Sequence, residues 1–194
     1  MRQKIAEWIL AAILGAGILG GTAAGVWYRM FYMPYCVRAD VRGREMDVET
    51  MRRIEEREKN GSKGILKMAG WRIENQRVIS AVGTGRRQMA QIVCVYGAMD
   101  LVEPADILSG RYGMAAEEGY CVLSESLARQ LFGGVDVAGQ WVEADQKKMT
   151  VAGVIETEGD ILMMPAEEGE IQQIAVEVRG RMGGREKVDE MLGR

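Results

Sequence analysis

Ser124 and Ser126 are the residues of this sequence best placed to act as nucleophiles, because both stand at the start of an amphipathic segment. The sequence contains no histidine, so the activating base would have to be a lysine. The nearest lysines, Lys147 and Lys148, fall in a predicted hairpin turn. A serine at the start of a helix is equally explained as an N-cap that accepts hydrogen bonds from the first-turn amides. We therefore expect Ser124 to cap a helix, and we predict that the protein is not an enzyme.

Two other groups of residues have the composition of ligand sites. The segment Gly83–Arg87 (GTGRR) could hold an anion, but it lacks the Lys-Ser/Thr ending of a P-loop, so a basic hairpin turn is the preferred interpretation. Two clusters of acidic residues have the carboxylates that a calcium site needs, but their spacing does not fit an EF-hand loop. We interpret both clusters as solvated turns. These are Glu156, Glu158 and Asp160, followed by Glu167, Glu168 and Glu170. We expect no metal and no cofactor.

The three cysteines, Cys36, Cys94 and Cys121, lie far apart, and no CxxC motif occurs. Cys94 and Cys121 stand inside apolar runs, where a thiol usually behaves as a small buried hydrophobe. We therefore expect reduced structural thiols, with one disulfide as the alternative if the domain is exported.

The charge pattern argues against nucleic-acid binding. The 25 basic and 28 acidic residues give a net charge of −3, so no overall field attracts a polyanion. The most highly charged segment, from Asp47 to Gly61, mixes both signs at helical spacing, which is typical of a solvated helix face.

The elements that must position these residues are mostly strands. Apolar runs separated by glycine-rich turns predict eight strands: Ile65–Met68, Trp71–Ile79, Gln91–Tyr96, Cys121–Leu123, Trp141–Ala144, Met149–Ile155, Ile161–Met164 and Ile171–Val178. Besides the charged segment, only Glu125–Phe132 and Arg185–Leu192 fit short helices. This pattern predicts an α+β domain with a mixed sheet, because the helices are too few and too short for a doubly wound parallel sheet.

An uncharged segment of 21 residues, Trp8–Tyr28, precedes this domain. As a helix it would extend about 31 Å, close to the hydrocarbon thickness of a bilayer. Tryptophan and tyrosine at its ends fit the headgroup level. We predict a single transmembrane helix. A cleaved signal peptide, with a cleavage site in Gly20–Gly25, is the alternative.

Small residues are spaced by four along this segment, and they predict a smooth face on which partner membrane helices pack. The alternative is that small residues are simply common in membrane helices. The six residues of the face are Gly17, Gly21 and Gly25, with Ala16, Gly20 and Ala24. A positive-inside count would place the large domain in the cytoplasm, because Arg29, Arg38, Arg42 and Arg44 outnumber Arg2 and Lys4.

The order of motifs in the second half resembles a known family. ILSGRYG (107–113) and Glu117-Glu118 are followed by VLSESLARQLFGG, DVAGQWV and TVAGVI. This order is similar to the MacB-like periplasmic core domain, the extracytoplasmic domain of ABC-type permeases of the MacB and FtsX kind. The similarity is best over residues 92–179. Val137-Ala138 stands where the family often has Pro-Leu, and the three further membrane helices of family permeases have no counterpart before Arg194.

The resemblance implies a domain that works by packing and rigid-body movement rather than by catalysis. We predict three segments: a transmembrane anchor (1–30), a connector (31–44) and a MacB-like periplasmic core domain (45–194). The implied function is a non-enzymatic, single-pass membrane component of an ABC-type export or mechanotransmission permease system, with its C-terminal domain extracytoplasmic. The implied partners are a multi-span permease subunit and a cytoplasmic ABC ATPase, or further copies of the chain in a homo-oligomer. The alternative function is a free-standing extracytoplasmic binding or adaptor protein that is not coupled to an ATPase.

Overall fold

A computed structural model describes residues 33–61, 65–113 and 119–179, together with Thr22, Tyr28, Glu186 and Val188. The chain divides into two compact units. One is Cys36–Glu177, and the other comprises Met1–Tyr35 and Val178–Arg194. Within the described residues, no helix has the length and apolar character needed to cross a bilayer. The predicted span Trp8–Tyr28 lies outside the described residues except for Thr22 and Tyr28, which are both helical.

Strands dominate the described ranges 33–61, 65–113 and 119–179, which contain ten strands and three helices. The elements are β1 (Pro34–Asp40), α1 (Val48–Gly61), β2 (Ile65–Ile73), β3 (Arg77–Ala81), β4 (Arg87–Gly97), α2 (Met99–Val102), β5 (Ile107–Gly110), β6 (Tyr120–Ser124), α3 (Glu125–Phe132), β7 (Trp141–Ala144), β8 (Lys147–Ile155), β9 (Ile161–Pro165) and β10 (Gln173–Arg179). The prediction of a sheet-dominated α+β fold is confirmed, and α3 and β7 have the predicted bounds.

The strands form one mixed sheet in the order β1-β10-β2-β4-β3-β7-β8-β6-β9. The pairs β4–β9 and β6–β8 are parallel, whereas β2–β4, β3–β4, β3–β7 and β7–β8 are antiparallel. Because β9 pairs with β4 as well as with β6, the strands β4, β3, β7, β8, β6 and β9 close into a ring. β5 pairs antiparallel with β8 and is not part of the ring.

Apolar side chains fill the inner face of the ring and are also buried on part of its outer face. Register and burial place Ile79, Ile92, Leu123, Val142 and Leu162 on its inner face. Helix α3 packs on β3, β4, β6 and β8 and closes one end of the ring. Each aliphatic side chain that is fully buried in this way stabilises the fold by roughly 2 kcal/mol.

A second core lies on the outer face, where α2 covers part of β2 and β4. Its buried side chains include Trp71, Val93, Val95, Met99 and Tyr120. The central residues of β4 are buried on both faces of the strand, one face in each core. The sequence of β4 is therefore nearly continuously apolar at its centre.

Gly70 accounts for an error in the predicted strand bounds. We predicted a break between Met68 and Trp71, but β2 continues through Ala69 and Gly70. A Cβ at Gly70 would lie 3.0 Å from Ile171 Cγ2 and 3.1 Å from Met51 Cε. The glycine therefore permits close packing of side chains over a continuous strand, and it does not mark a turn.

Three elements carry no clear apolar pattern and were not predicted. β1 lies within the segment predicted as a connector, and its side chains are mostly exposed. β5 is a four-residue strand with exposed isoleucine and leucine side chains, and α2 is a single helical turn. Of the predicted helix Arg185–Leu192, only Glu186 and Val188 are described, and both are helical. The limits of the three predicted segments stay a prediction.

Candidate functional site

Ser124 serves as a structural cap. Its side chain is 1% exposed, and Oγ accepts hydrogen bonds from the Leu127 N–H at 3.3 Å and the Ile161 N–H at 3.0 Å. Its φ of −67° and ψ of 155° are the extended values of an N-cap residue. The predicted cap is confirmed, and the same oxygen also ties the start of β9 to α3.

The two lysines considered as bases have other partners. The Lys147 ammonium forms an ion pair with Glu167. The Lys148 Nζ lies 4.4 Å from the centre of the Trp141 ring, as in a cation–π contact.

Ser126 belongs to a hydrogen-bonded group around Asp160. The Ser126 hydroxyl donates to Asp160 Oδ1 at 2.7 Å, and the Gln130 amide donates to the same atom at 2.8 Å. Gln88 donates to Asp160 Oδ2 at 3.4 Å. These contacts hold α3, β4 and the start of β9 together, so Asp160 has a structural explanation. In the described ranges, no three acidic, histidine or cysteine side chains converge as a metal site would require.

The segment Gly83–Arg87 forms the turn of the β3–β4 hairpin, as predicted. The Thr84 hydroxyl donates to the Leu131 carbonyl oxygen at 2.8 Å, which satisfies an acceptor in the last turn of α3. Arg87 is the first residue of β4, and its side chain is exposed.

All three cysteines are free thiols. Burial of Cys94 and Cys121 is confirmed, at 3% and 0% exposure, whereas Cys36 is exposed. Loss of hydration raises the pKa of the Cys94 thiol to about 12 and also raises the pKa of Cys121. Neither buried thiol therefore has the thiolate character that nucleophilic chemistry needs.

A cleft of about 260 Å³ lies at the end of the ring where β9 ends, opposite α3, and we call it the ring-mouth cleft. Its apolar lining comes from Ile92, Cys94, Ala144 and Met164. Charged residues of both signs surround this lining: Arg72, Glu74, Asp145, Lys147, Glu167 and Glu168.

The cations at the ring-mouth cleft are already paired. Arg72 Nε lies 3.0 Å from Glu74 Oε1, and Arg72 Nη1 donates to the Glu168 carbonyl oxygen at 2.7 Å. The Cys94 thiol donates to Glu74 Oε1 at 3.3 Å. Because these charges satisfy one another, the cleft is suited to mixed polar and apolar contacts rather than to capture of a single strong ion.

A second cleft, of about 530 Å³, lies between β2, α2 and the segment 107–113. Its lining is mainly apolar, with Leu66, Met68, Met99, Ile107 and Tyr112. An ion pair between Lys67 Nζ and Asp100 Oδ2, at 2.5 Å, stands beside it and raises the pKa of Lys67. The Tyr112 hydroxyl, which donates to the Glu103 carbonyl oxygen at 2.7 Å, fixes one wall. Sequence reasoning missed both clefts, because each combines residues from distant strands.

An exposed apolar surface on β3, the residue that follows it, β4 and β7 was also missed, and we call it the outer strand face. It contains Val78, Val82, Met89 and Trp141, whose side chains are 50%, 47%, 46% and 45% exposed. The sequence contains a signal for this surface. A half-buried strand alternates apolar and polar residues, whereas β3 has the apolar Val78 directly before the buried Ile79.

The predicted membrane-helix packing face cannot be placed in this fold. Its residues, Gly17, Gly21, Gly25, Ala16, Gly20 and Ala24, lie outside the described residues. The packing face stays a prediction.

A ring of strands closed at one end by a helix, with two clefts and an exposed strand face, defines a sheet-dominated α+β domain. The chain belongs to the MacB-like periplasmic core domain family, whose model matches residues 25–182. The resemblance in the sequence is thereby confirmed. The domain is extracytoplasmic in type and is of the kind that ABC transporter permeases carry.

Solved structures share the fold at low sequence identity. The periplasmic region of MacB from Actinobacillus actinomycetemcomitans is 13% identical, with a TM-score of 0.63, and the match covers 84% of this chain and 82% of that one. The extracellular domain of the noncanonic ABC-type transporter YknZ from Gram-positive bacteria is also 13% identical, with a TM-score of 0.57 and coverage of 84% and 93%. The comparison with curated protein sequences gives no significant match.

Proposed function

We propose that this chain is a non-enzymatic, single-pass membrane component of an ABC-type export or mechanotransmission permease system that acts through its extracytoplasmic domain. The observation that carries the proposal is the position of the family match. It begins at residue 25, inside the last turn of the uncharged segment Trp8–Tyr28. An apolar segment long enough to span a bilayer therefore leads directly into a domain of the permease type.

The surfaces of the domain fit a role in transmitting movement. The ring-mouth cleft and the outer strand face lie on a closed ring of strands whose pairing resists internal deformation, and the second cleft lies beside this ring. Such a body can be moved as a unit by the membrane helix, with the ATPase in the cytoplasm supplying the energy. The small-residue face of the predicted helix would pack on a multi-span permease subunit.

Co-purification of the full chain from its native membrane in mild detergent tests this function. We expect an ABC ATPase and a multi-span permease subunit to accompany the tagged chain. If neither protein accompanies it, the transporter proposal is wrong and the adaptor function replaces it.

The substitution Gly21→Ile tests the helix face, because a branched side chain would keep a neighbouring helix backbone at a distance. We expect recovery of the permease subunit to fall about 10-fold, equivalent to about 1.4 kcal/mol. Gly15→Ile makes the same change on the opposite side of the predicted helix and is the matched control. Equal recovery with both variants would exclude the small-residue face as the contact.

A further inference from the structure

The second cleft lies beside a part of β2 that β4 does not cover. The two strands pair over Ala69–Ile73, and just beyond this register the Ala98 N–H donates to the Met68 carbonyl oxygen at 3.0 Å. The chain then turns into α2, whereas β2 extends further toward its first residue. Gly97 permits this turn, because its φ is 86° and a Cβ there would lie 2.3 Å from the Met68 carbonyl oxygen. Within the described ranges, this side of β2 therefore has no neighbouring strand before Met68.

The main-chain groups of Leu66 point toward the second cleft. Successive residues of a paired strand direct their N–H and C=O groups to opposite sides. The Glu74 N–H donates to the Ile92 carbonyl oxygen of β4 at 2.9 Å, and the Met68 carbonyl oxygen faces the same side, whereas the Trp71 carbonyl oxygen accepts on the side of β10. Leu66 alternates with Met68 and Glu74, so its N–H and C=O point away from β10 and past the end of β4. Leu66 also lines the cleft.

Exposed apolar side chains stand beside these main-chain groups. Leu66 and Ile107 are 43% and 46% exposed, and Met99 and Tyr112 extend the apolar lining. An uncovered strand edge next to apolar pockets is the arrangement that binds extended peptides. Main-chain hydrogen bonds supply affinity there, and the pockets select side chains.

Carboxylates outnumber ammonium groups in the lining of the second cleft. Glu55 and Asp100 stand against Lys67, which is the lysine of this lining and is already paired with Asp100. The hydrogen bond to Asp100 raises the pKa of Lys67, and the negative charge of Glu177 contributes to the same shift. Glu55 accepts from the Tyr96 hydroxyl at 2.7 Å, which leaves it ionised and acidic in character.

The charges around the lining have the same balance. Loss of hydration raises the pKa of Tyr112, and carboxylates that include Glu103 and Asp106 raise it further. Arginines close to these groups are engaged by other partners: Arg38 by the Leu101 and Val102 carbonyl oxygens, Arg52 by Glu49, and Arg111 by the Tyr112 carbonyl oxygen. The cleft is therefore complementary to an apolar segment that carries positive charge.

We propose that the second cleft binds an extended basic segment of a partner protein, which adds to β2 as a strand. The segment would form hydrogen bonds with the Leu66 N–H and C=O, place apolar side chains against Leu66 and Ile107, and direct lysine or arginine side chains toward the carboxylates. A strand meets all three features, whereas a small apolar molecule would leave the Leu66 main-chain groups without partners. The site needs no ATPase or permease subunit, so it can be tested separately from the proposed function.

A synthetic peptide of about seven residues, in which lysine and valine alternate, tests the site. Its binding to the full chain in nonionic detergent is measured by fluorescence anisotropy. Two further peptides are methylated on the main-chain nitrogen of every lysine or of every valine. We expect one of them to bind at least about 10-fold more weakly, because its N–H groups face β2, and the other to bind within about threefold of the unmodified peptide.

The substitution Leu66→Pro removes the main-chain donor at the cleft and should weaken binding at least about 10-fold. Leu66→Val is the matched control, because it keeps the N–H, and it should bind within about threefold of the native chain. The methylated peptides are measured on the native chain, so they test the added strand even if Leu66→Pro does not fold.

Charge is tested by replacing every lysine of the peptide with glutamate, which should also weaken binding at least about 10-fold. Equal binding of the lysine and glutamate peptides would overturn the basic character of the segment. The added strand would be overturned by an absence of saturable binding, by equal effects of the two methylated peptides, or by native affinity in Leu66→Pro.

Discussion

Several single side chains in this protein hold elements together, and Ser124 is a buried example. One hydroxyl oxygen accepts from two backbone N–H groups that belong to different elements. Asp160 similarly receives donors from α3 and β4. A polar group that is buried with its partners satisfied stabilises the fold, and its removal leaves those partners without a bond.

The substitution Ser124→Ala should lower the free energy of unfolding by about 2–3 kcal/mol. The loss of the N-cap contributes about 1 kcal/mol, and the Ile161 N–H left without its acceptor contributes the rest. Thermal or urea unfolding of the full chain in detergent measures the effect. Ser126→Ala is the control, because it removes a hydroxyl from the same helix end but leaves both N–H groups bonded. If the two variants lose equal stability, the dual role assigned to Ser124 is wrong.

Among the elements, the β7–β8 hairpin has the most unusual backbone. Its two turn residues, Asp145 and Gln146, have φ values of 47° and 68°, and they are the only non-glycine residues with positive φ in the described part of the chain. Tight hairpins favour Asn-Gly or Asp-Gly at these positions, because glycine adopts positive φ without steric cost. Gln146 therefore retains local strain beside the ring-mouth cleft, to which Asp145 contributes.

Replacing Gln146 with glycine should raise the free energy of unfolding by about 1 kcal/mol, since the strain at positive φ exceeds the entropy that glycine adds to the unfolded chain. Urea unfolding of the full chain measures the change. Gln140→Gly, at an exposed turn residue that lacks positive φ, is the matched control and should instead lower stability. A loss of stability with Gln146→Gly would show that the turn is not strained.

At the scale of the whole molecule, the side of the membrane on which the domain lies is the main open prediction. The family is extracytoplasmic, whereas the arginine count next to the predicted span favours the cytoplasm. Long domains downstream of a first helix cross largely regardless of their charge, so the family is the better guide. The structure supplies a reporter for this question, because Cys36 is exposed while Cys94 and Cys121 are buried.

A maleimide that does not cross the cytoplasmic membrane should label Cys36 in intact cells. Cys36→Ser should abolish this labelling, and the two buried thiols should react only after the protein is unfolded. Labelling of Cys36 that requires a permeabilised cytoplasmic membrane would place the domain in the cytoplasm.

Local signals accounted for the elements that the sequence predicted well. Helix α3 follows from Ser124 as its cap, Leu127, Ala128 and Leu131 as its buried stripe, and Gly133 as its left-handed C-cap, all within ten positions. The bounds of β7 follow from alternation over four residues. Where burial or packing depends on distant residues, as at Gly70 in β2 and along the exposed β1, the same local reasoning failed.

By itself, the sequence determined the α+β class, the order of the main elements, the uncharged N-terminal segment and the family, because these depend on neighbouring residues or on the order of motifs. Only the tertiary structure decided that the strands close into a ring, which requires β9 to pair with both β4 and β6. The same closure creates the ring-mouth cleft and leaves the outer strand face exposed. The physical reason is that pairing between distant strands is selected by the packing of the whole core, and no short segment contains that information.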